Sequence, residues 1–572
     1  MTVVATAGHV DHGKSSLVLA LTGTDPDRFE EEKRRGLTID LGFAHTVLPS
    51  GADLSFIDVP GHVKFLRNML AGVGGVTGCV FVVAATEGWK PQSEEHLRIL
   101  ELLGVTSGIV VLTKRDLVDD ETLEVAELDV SEHVEGTFLA GAPVVAVSAT
   151  TGAGLDELVA SLDALVASTA AAADTGRPRM WVDRVFAAKG SGTVATGTLV
   201  GGTLHVDQQV VLEPGGHPAR IRGLQTAGSA VDHIGPGNRV AVNLAGVDHQ
   251  DLRRGHAIVE PDRWRLTDRF DAAIHVLDSL DHEVSRRGAY AAYVGAGEHA
   301  VKVRVLGADA LTPGGDGAIR LFLDEPLPLL PGDRFILRES GRDETVGGGE
   351  VLDIDPVLKA SKASPDRSID RLVRERGWVT VSEVEQLTGL GVDATVGEWL
   401  TTPELLAATG DELVVRVVDA GAAGLDLAAF DERERAVLPM LDEVVVDAGR
   451  VRPADAVDPF ADHPFLAALL AGGFTPPSAA DVDRGELREL VRRGHVVQRD
   501  GVHFHEQTID AAASVAAGLL ATSPDGFTVA AFRDATGASR KFALPLVAEL
   551  DARGVTRRRD DLRIGGPRLP SA

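Results

Sequence analysis

A glycine-rich segment near the start of the chain has the residue types and spacing that bind phosphate. Residues Gly8–Ser15 fit the pattern G-x-x-x-x-G-K-[ST] between a predicted strand and a predicted helix. Glycines at these positions let backbone N–H groups wrap the phosphates of a nucleotide at a helix N-terminus. We expect Lys14 to reach the β- and γ-phosphates and the hydroxyl of Ser15 to bind Mg²⁺.

Further segments at the ends of predicted strands would complete a nucleotide site. Asp58 follows the strand Leu54–Ile57 and can hold Mg²⁺ through water, while Thr38 can bind Mg²⁺ when a γ-phosphate is present. Asp116 ends another strand, and its carboxylate can accept two hydrogen bonds from guanine that adenine cannot supply. Ser148 ends the next strand, where a backbone N–H can meet guanine O6. The sequence therefore predicts a site for GTP or GDP with Mg²⁺.

The site departs from the common pattern at one position. GTPases commonly have Asn where this chain has Thr113, so an amide contact that braces the phosphate loop is absent or is replaced by the hydroxyl. The predicted metal ligands are Ser15, Thr38 and Asp58. The predicted nucleotide-binding residues are Gly8, His9, Val10, Asp11, His12, Gly13, Lys14, Ser15, Ser16, Asp58, Gly61, Thr113, Lys114, Asp116, Leu117, Ser148, Ala149 and Thr150.

A histidine just beyond Asp58 is the candidate catalytic residue. Phosphoryl transfer to water needs positioning and charge neutralisation more than a strong base, and His62 is placed to orient the water. The alternative is a solvated loop histidine. Val10 and Leu37 could form a hydrophobic gate that keeps His62 away from the phosphates. A zinc site of His9, His12 and His62 is disfavoured, since no cysteine supports it and all three lie among the phosphate-binding segments.

The apolar pattern changes twice along the 572 residues and predicts several domains. Strands alternate with amphipathic helices at first, which predicts a mostly parallel sheet covered on both faces. Closely spaced short strands with glycine turns follow, and then short helices ending in pairs of strands. The predicted fold is an α/β P-loop GTPase domain (1–172), two antiparallel β-barrels (178–262 and 265–356) and C-terminal tandem winged-helix domains (362–425, 426–475, 476–523 and 524–572).

Composition limits the classes of partner. The net charge of −29 disfavours nucleic-acid binding except through a local basic patch. The single cysteine, Cys79, excludes an intramolecular disulfide and lies in an apolar run that predicts a buried, inert thiol. No targeting pattern and no apolar run long enough for a membrane span is visible. We therefore expect a cytoplasmic protein with no membrane partner that works as a monomer.

One basic patch does occur, near the end of the chain. Residues 527–572 contain nine Lys or Arg against five Asp or Glu. Ser539 can cap a helix whose first turn carries Arg540 and Lys541, and a predicted wing carries Arg557, Arg558 and Arg559. Cations at a helix start and along a wing suit the backbone of an RNA hairpin. The alternative is a basic solvated face.

Two groups of motifs resemble known translation factors. The first resembles the elongation factor Tu family and consists of Gly8–Ser15, Arg35–Thr38, Asp58–His62, Val82–Gly88 and Pro91–His96. The second, Trp181–Val194 and Phe532–Arg558, resembles the bacterial selenocysteine-specific elongation factors. The resemblance implies a GTPase that delivers selenocysteinyl-tRNA to the ribosome at UGA codons marked by an mRNA hairpin, with ribosome-triggered hydrolysis. The alternative is a GTP-gated RNA-binding or initiation-type factor that carries no selenocysteine.

The resemblance also suggests a selenocysteine pocket in the first barrel. A selenol is far more acidic than a thiol, so selenocysteine is an anion at neutral pH and a selective pocket needs positive charge. The family's pocket includes residues aligned with Asp183 and Arg184, and Arg222 is a further candidate. The alternative is a surface Arg–Asp pair.

Overall fold

The computed structural model describes residues 2–27, 32, 34, 38–61, 68–69, 76–188, 192–447, 449–456 and 460–570. The chain divides into two units, Met1–Asp393 and Ala394–Ala572. Of the predicted site residues, His62 and Leu37 lie outside the described residues. None of the described helices is long and apolar enough to span a membrane.

The first domain is an α/β sheet of the predicted type. Its strand order is β2-β3-β1-β4-β5-β6, and all neighbours are parallel except the edge pair β2 and β3. The strands are β1 (Thr2–Ala7), β2 (Gly42–Val47), β3 (Asp53–Asp58), β4 (Gly78–Ala84), β5 (Gly108–Thr113) and β6 (Val144–Ala146). The helices are α1 (Lys14–Thr22), α2 (Pro91–Leu102), α3 (Asp120–Val134) and α4 (Leu155–Ser168).

The central strands are apolar throughout because helices cover both faces of the sheet. Every residue of β4 and of β5 is buried. Cys79 on β4 is fully buried, which confirms the predicted burial, and burial raises the pKa of its thiol. The segments predicted to bind nucleotide follow β1, β3, β5 and β6, so they meet at the carboxyl edge of the sheet.

Two closed antiparallel barrels follow, as predicted. The first closes through the ring β10-β15-β7-β8-β14-β11 and back to β10. Alternating burial along β14 shows why these residues form a barrel wall, with one face in the core and one outside. The strands are β7 (Arg179–Ala188), β8 (Gly192–Val200), β9 (Leu204–His205), β10 (Gln209–Glu213), β11 (His217–Thr226), β12 (Ser229–Val231), β13 (His233–Ile234), β14 (Arg239–Ala245) and β15 (Ala257–Val259).

The second barrel has the closed order β16-β21-β19-β18-β22-β23. Its strands are β16 (Thr267–Val276), β17 (Val284–Ser285), β18 (Tyr290–Val294), β19 (Gly297–Leu306), β20 (Ala310–Leu311), β21 (Asp316–Leu327), β22 (Arg334–Glu339) and β23 (Glu344–Asp353). The first unit then ends with α5 (Ile369–Arg376), β24 (Val379–Thr380) and α6 (Val381–Thr388). Buried Arg371 on α5 binds Asp353 of β23 at 2.9 Å, which fastens this helix to the barrel.

The second unit contains helices and short antiparallel sheets of winged-helix type. Its sheets are β26-β28-β27, β29-β30 and β31-β33-β32. The strands are β25 (Trp399–Leu400), β26 (Leu425–Asp426), β27 (Val444–Asp447), β28 (Arg450–Pro453), β29 (Val496–Arg499), β30 (Val502–His505), β31 (Phe527–Thr528), β32 (Thr556–Arg559) and β33 (Leu562–Gly565). The helices are α7 (Pro403–Asp419), α8 (Glu432–Val437), α9 (Pro464–Gly472), α10 (Arg484–Arg492), α11 (Glu506–Thr522), α12 (Val529–Thr536) and α13 (Arg540–Ala552).

The predicted limits of the individual winged-helix domains remain predictions. The proposed limit at 425/426 falls inside β26, and the limit at 475/476 separates α9 from α10, which share one apolar core. Helix α11 shares a core with α12 and α13. Packing therefore favours modules that end after β28 and after β30.

Candidate functional site

The phosphate loop is preformed around the lysine of the motif. Lys14 Nζ donates hydrogen bonds to the carbonyl oxygens of Gly8 at 3.0 Å and His9 at 2.7 Å. Burial lowers the pKa of Lys14 to about 8. Gly8 has φ +128°, and a Cβ there would lie 2.0 Å from the carbonyl oxygen of Val82. Only glycine fits at this position, which explains the first residue of the motif.

The segment after Asp58 closes over this loop. A Cβ at Gly61 would lie 2.4 Å from Lys14 Nζ and 2.8 Å from the backbone nitrogen of Val10. The absent side chain therefore lets the chain beyond β3 approach the phosphate-binding lysine. This geometry brings Gly61 together with the loop, as the sequence predicts.

The three predicted metal ligands converge through their oxygen atoms. Ser15 Oγ lies 2.7 Å from Asp58 Oδ2 and 2.8 Å from Thr38 Oγ1, and Thr38 Oγ1 lies 2.8 Å from Asp27 Oδ1. Burial raises the pKa of Asp58 and raises the pKa of Asp27 to about 6. These side chains, with Thr6 donating to Asp58 Oδ1 at 2.7 Å, form a partly buried cluster of oxygen atoms.

The proton count in this cluster favours a cation. Two hydroxyls supply two protons, whereas the Ser15–Asp58, Ser15–Thr38 and Thr38–Asp27 contacts need three when both carboxylates are ionised. One of the three oxygen–oxygen contacts therefore has no proton between its atoms and is repulsive. A hard cation bound by these oxygens would remove that repulsion. Hydroxyl and carboxylate oxygens are the ligands that Mg²⁺ prefers. The residues present fit that ion.

The base side of the site contains the departure at Thr113. Its Oγ1 donates to the carbonyl oxygen of His12 at 2.6 Å, so the hydroxyl braces the phosphate loop where other GTPases use an amide. Asp116 is exposed in the short helical turn Arg115–Leu117, where its carboxylate is open to a base. Lys114 has φ +59° and donates to Glu87 Oε1 at 3.1 Å.

The third base-binding segment is ordered by its own hydrogen bonds. Ser148 is fully buried, and its hydroxyl accepts from the backbone N–H of Thr151 at 3.1 Å. Ala149 and Thr150 lie in the turn that follows β6. The other predicted nucleotide-binding residues occupy the loop and its flanks: Asp11 with φ +60°, Gly13 with φ +86°, Ser16 on α1 and Leu117 in the exposed turn.

Two side chains that sequence reasoning did not assign also hold the phosphate loop. Both lie on α2: His96 Nδ1 accepts from the backbone N–H of Gly8 at 3.1 Å, and Gln92 Oε1 accepts from that of Val10 at 3.2 Å. Burial lowers the pKa of His96 to about 3, which keeps its ring neutral. The sequence signal that could have indicated these two residues is the resemblance of Pro91–His96 to elongation factor Tu.

The remaining histidines of the loop lie close together. The rings of His9 and His12 are 5.0 Å apart, and burial lowers the pKa of His12 to about 4. No group of three or more His, Cys, Asp or Glu that could hold a metal was found among the described residues, which do not include His62.

The predicted selenocysteine pocket contains an arginine that the sequence did not indicate. Asp183 accepts hydrogen bonds from Thr196 Oγ1 at 2.7 Å and from both terminal nitrogens of Arg239. The guanidinium of Arg239 lies 3.4 Å from the ring centroid of Phe43, and that of Arg184 lies 4.8 Å from it. A cavity of about 190 Å³ adjoins Phe43, Thr196 and Arg239.

The third predicted residue of this pocket lies farther along the barrel. Arg222 is exposed on β11, and its Nη1 would lie 3.9 Å from a Cβ at Gly192. Gly192 is four residues from Thr196 along β8, a distance of about 13 Å. The structure therefore brings Arg239, and not Arg222, to Asp183.

The C-terminal basic patch has the predicted shape. Helix α13 begins at Arg540, and the hairpin β32–β33 turns at Asp560 with φ +54°. Ser539 occupies the position before the helix, but its side chain makes no capping hydrogen bond, contrary to prediction. The predicted RNA-binding side chains are all exposed: Arg540, Lys541, Arg557, Arg558 and Arg559.

Other cations of the same segment are neutralised by carboxylates. Arg533 binds Asp534, Arg553 binds Glu506 and Glu549, and Arg563 binds Asp551. Among the described residues, no ion pair joins the five predicted cations to a carboxylate. Their charge therefore faces the solvent.

Family models match four parts of the chain. The "Elongation factor Tu GTP binding domain" matches residues 1–168, and "Elongation factor Tu domain 2" matches 192–259. The "Selenocysteine-specific elongation factor, beta-barrel domain" matches 271–357, and "Elongation factor SelB, winged helix" matches 519–564.

Curated relatives share the same description, selenocysteine-specific elongation factor. The protein of Desulfomicrobium baculatum is 35% identical over 86% of this chain and 72% of its own length. The protein of Haemophilus influenzae is 38% identical over 69% of this chain and 65% of its own length. The protein of Escherichia coli K12 is 34% identical over 68% of this chain and 64% of its own length.

Solved structures agree with this match. A bacterial selenocysteine-specific elongation factor, EF-Sec, superimposes with a TM-score of 0.74 and 26% identity, over 99% of this chain and all of the other. Elongation factor SelB from Methanococcus maripaludis, in its apo form, gives a TM-score of 0.53 and 25% identity over 62% of this chain and 80% of its own.

A guanine-nucleotide site at the edge of a P-loop sheet, followed by two β-barrels, defines a translational GTPase. The second barrel and the winged-helix domain match family models of selenocysteine-specific elongation factors, which narrows the class of translational GTPase. The chain belongs to the family of selenocysteine-specific elongation factors.

Proposed function

We propose that the GTP form binds selenocysteinyl-tRNA and delivers it to the ribosome at UGA codons marked by an mRNA hairpin. The observation that carries the proposal is that one chain joins an elongation-factor nucleotide site to a winged helix with five solvent-facing cations. Of the two functions that the sequence left open, family membership supports this one.

The nucleotide site is proposed to hold Mg²⁺ with the nucleotide. Ser15, Thr38 and Asp58 provide the oxygen ligands, and the metal would neutralise phosphate charge. Thr38 lies on a loop, and its bond to the metal would hold that loop in place. Loss of the γ-phosphate would release the loop. His62 is proposed to orient the attacking water once the gate of Val10 and Leu37 opens on the ribosome.

The first barrel is proposed to recognise the selenolate. Arg239 lines the 190 Å³ cavity, and both Arg239 and Arg184 lie on the ring of Phe43, so two guanidinium groups are near an anionic side chain bound there. Arg184 also donates to the carbonyl oxygen of Leu41 and lies 3.7 Å from Asp40, so it would bind the selenolate while keeping these contacts. Asp183 fixes the orientation of Arg239 through two hydrogen bonds. Serine carries no charge at this position and would gain little from these groups.

The test of this pocket compares one tRNA carrying two amino acids. The GTP form of the full chain should bind selenocysteinyl-tRNA much more tightly than the same tRNA charged with serine. Arg239→Ala and Arg184→Ala should each remove much of that difference while leaving GTP affinity unchanged. Arg220→Ala, an exposed arginine of β11 paired only with exposed Asp207, is the matched control. Full discrimination by both pocket variants would mean that selectivity lies elsewhere.

The C-terminal surface is proposed to bind the mRNA hairpin. Arg540 and Lys541 at the start of α13 lie in the same module as Arg557, Arg558 and Arg559 on the wing. Cations of this kind bind RNA through its phosphates and give salt-dependent affinity.

The test of this surface uses the full chain in a gel-shift assay. Arg540→Glu with Lys541→Glu should abolish hairpin binding and leave GTP and tRNA binding intact. Arg533→Glu is the matched control, since Arg533 is already neutralised by Asp534. A double variant that still holds the hairpin would overturn the assignment of this surface.

A further inference from the structure

Exposed apolar side chains are concentrated in one segment of the second unit, from α7 to β27. Sixteen large apolar side chains are exposed among the described residues, and five of these lie between residues 415 and 446. They are Val415, Val418, Met440, Val445 and Val446. Val415 is 60% exposed and Met440 is 55% exposed. Scattered apolar residues need no explanation, but a cluster of this kind marks a binding surface.

Two of these residues, Val415 and Met440, line a groove between α7 and the segment that follows α8. Helix α7 buries Gly410, Leu413 and Val417, and the groove lies beside this buried face, since Gly410 also forms part of its lining. The groove has a volume of about 450 Å³, and its apolar lining includes Leu406, Val414, Val415, Met440 and Leu441. Gly410 forms part of its wall, where a Cβ would meet Leu441 Cδ2 at 3.0 Å. An apolar groove of this size beside a helix fits the apolar face of a second helix.

The rim of the groove and its surroundings are strongly acidic. Residues 403–447 contain eleven Asp or Glu against three Arg, a net charge of −8. Asp411 and Glu443 line the groove and are exposed. Neither forms an ion pair with a residue that the structure describes. Their charges are therefore available to a partner, and the field of the module repels nucleic acid and acidic proteins.

We propose that this groove, lined by Leu406, Val414, Val415, Met440 and Leu441, binds a basic amphipathic helix of a second protein. Its apolar side chains would fill the groove, and its Lys or Arg residues would face Asp411 and Glu443. Proteins that bind nucleic acid carry such cations to neutralise phosphates. The acidic groove thus gives an RNA-binding factor a way to contact the protein part of a ribonucleoprotein. None of the residues that line the groove is among the predicted nucleotide, selenocysteine-pocket or hairpin residues.

The first test measures binding of a designed helical peptide to the full chain. The probe is a fluorescent peptide of about 18 residues, five helical turns, with a leucine stripe and lysines on the other faces. Val415→Asn with Met440→Asn should weaken its binding at least about tenfold, since both side chains lose apolar contact with the peptide. Both residues are exposed, so the fold should tolerate the change. Leu128→Asn, at a 67% exposed position of α3, is the matched control and should bind as the wild type does.

The second test separates charge from apolar contact. Asp411→Asn with Glu443→Asn should weaken the lysine peptide severalfold and reduce the salt dependence of its binding. A peptide with glutamate in place of lysine should not bind. The proposal is overturned if the groove variants and Leu128→Asn bind the lysine peptide equally. It is equally overturned if the glutamate peptide binds as well, or if sedimentation shows a self-associated chain that the groove variants return to monomer.

Discussion

Replacement of His96 by alanine is expected to loosen the phosphate loop. His96 Nδ1 accepts the backbone N–H of Gly8 at 3.1 Å inside the protein. Because burial lowers the pKa of His96 to about 3, Nδ1 keeps its lone pair at neutral pH. Lys14 Nζ donates to the carbonyl of the same Gly8, so the histidine fixes a peptide that also positions the phosphate-binding lysine.

The size of the effect follows from the buried N–H group. Without His96 the Gly8 N–H has no acceptor, at a cost of about 1–3 kcal/mol. When no nucleotide is bound, the loop can leave this conformation and avoid the cost. Binding of nucleotide restores the conformation, so most of the cost should appear as lost affinity for the nucleotide. At 1.4 kcal/mol for each factor of ten, GDP should bind about 5- to 150-fold more weakly. Gln92→Ala should have a smaller effect, since its bond at 3.2 Å is partly exposed.

The assay is dissociation of a fluorescent GDP analogue from the full chain, followed by stopped flow. His96→Gln keeps an acceptor and should recover part of the affinity. Arg98→Ala is the matched control, because Arg98 lies on the same helix, is 40% exposed and bonds only to Glu94 and Glu101. A thermal melt of each variant separates a loose loop from an unfolded domain. A folded His96→Ala protein that releases GDP at the wild-type rate would refute the reasoning.

Three further outcomes are expected. Burial lowers the pKa of His96 to about 3 and that of His12 to about 4, so these two rings bind fewer protons in the folded state than in the unfolded state. Their contribution to the free energy of unfolding should be lost as pH drops below about 6.5, opposite in sign to that of Asp27, whose pKa burial raises to about 6. Urea titrations should therefore show the wild type losing stability relative to His96→Gln as pH drops below about 6.5. Asp116→Asn should lose affinity for GTP and gain affinity for xanthosine triphosphate, whose carbonyl at C2 pairs better with an amide; unchanged GTP affinity would remove Asp116 from its role. His62→Ala should bind GTP normally but hydrolyse it on ribosomes at least about 100-fold more slowly, measured in single turnover; a near-wild-type rate would mean that another group orients the water.

The nucleotide site was predictable because its parts are local in sequence. The segments after β1, β3, β5 and β6 directly follow strands, and parallel strands bring their carboxyl ends to one edge, so no long-range pairing had to be known. Ser15 and Asp58 meet for this reason, although they are 43 residues apart. Thr38 lies between α1 and β2 and not at the end of a described strand, so this rule does not account for its position. The fold class followed from the same regularity, since strand and helix periods differ.

The bracing side chains of α2 were not predictable in the same way. His96 and Gln92 bind backbone groups 88 and 82 residues earlier in the chain, and backbone atoms leave no trace in the sequence. Arg239 was missed because its pairing with Asp183 depends on barrel register, across β14, β8 and a bulge in β7. Arg222 is closer in sequence but lies farther along the wall.

Helix α2 joins the phosphate loop to the second barrel. Gln92 and His96 hold the amides of Val10 and Gly8, and Glu95 on an adjacent face lies 3.5 Å from Arg338. Arg338 is buried in the barrel and also binds Thr345 and Asp343, so it cannot follow a movement of Glu95 without losing those bonds. Burial raises the pKa of Glu95 and Arg338 opposes that rise, so breaking the pair would leave a carboxylate without its cation. A change in the phosphate loop that moved α2 would therefore change the energy of the barrel contact as well.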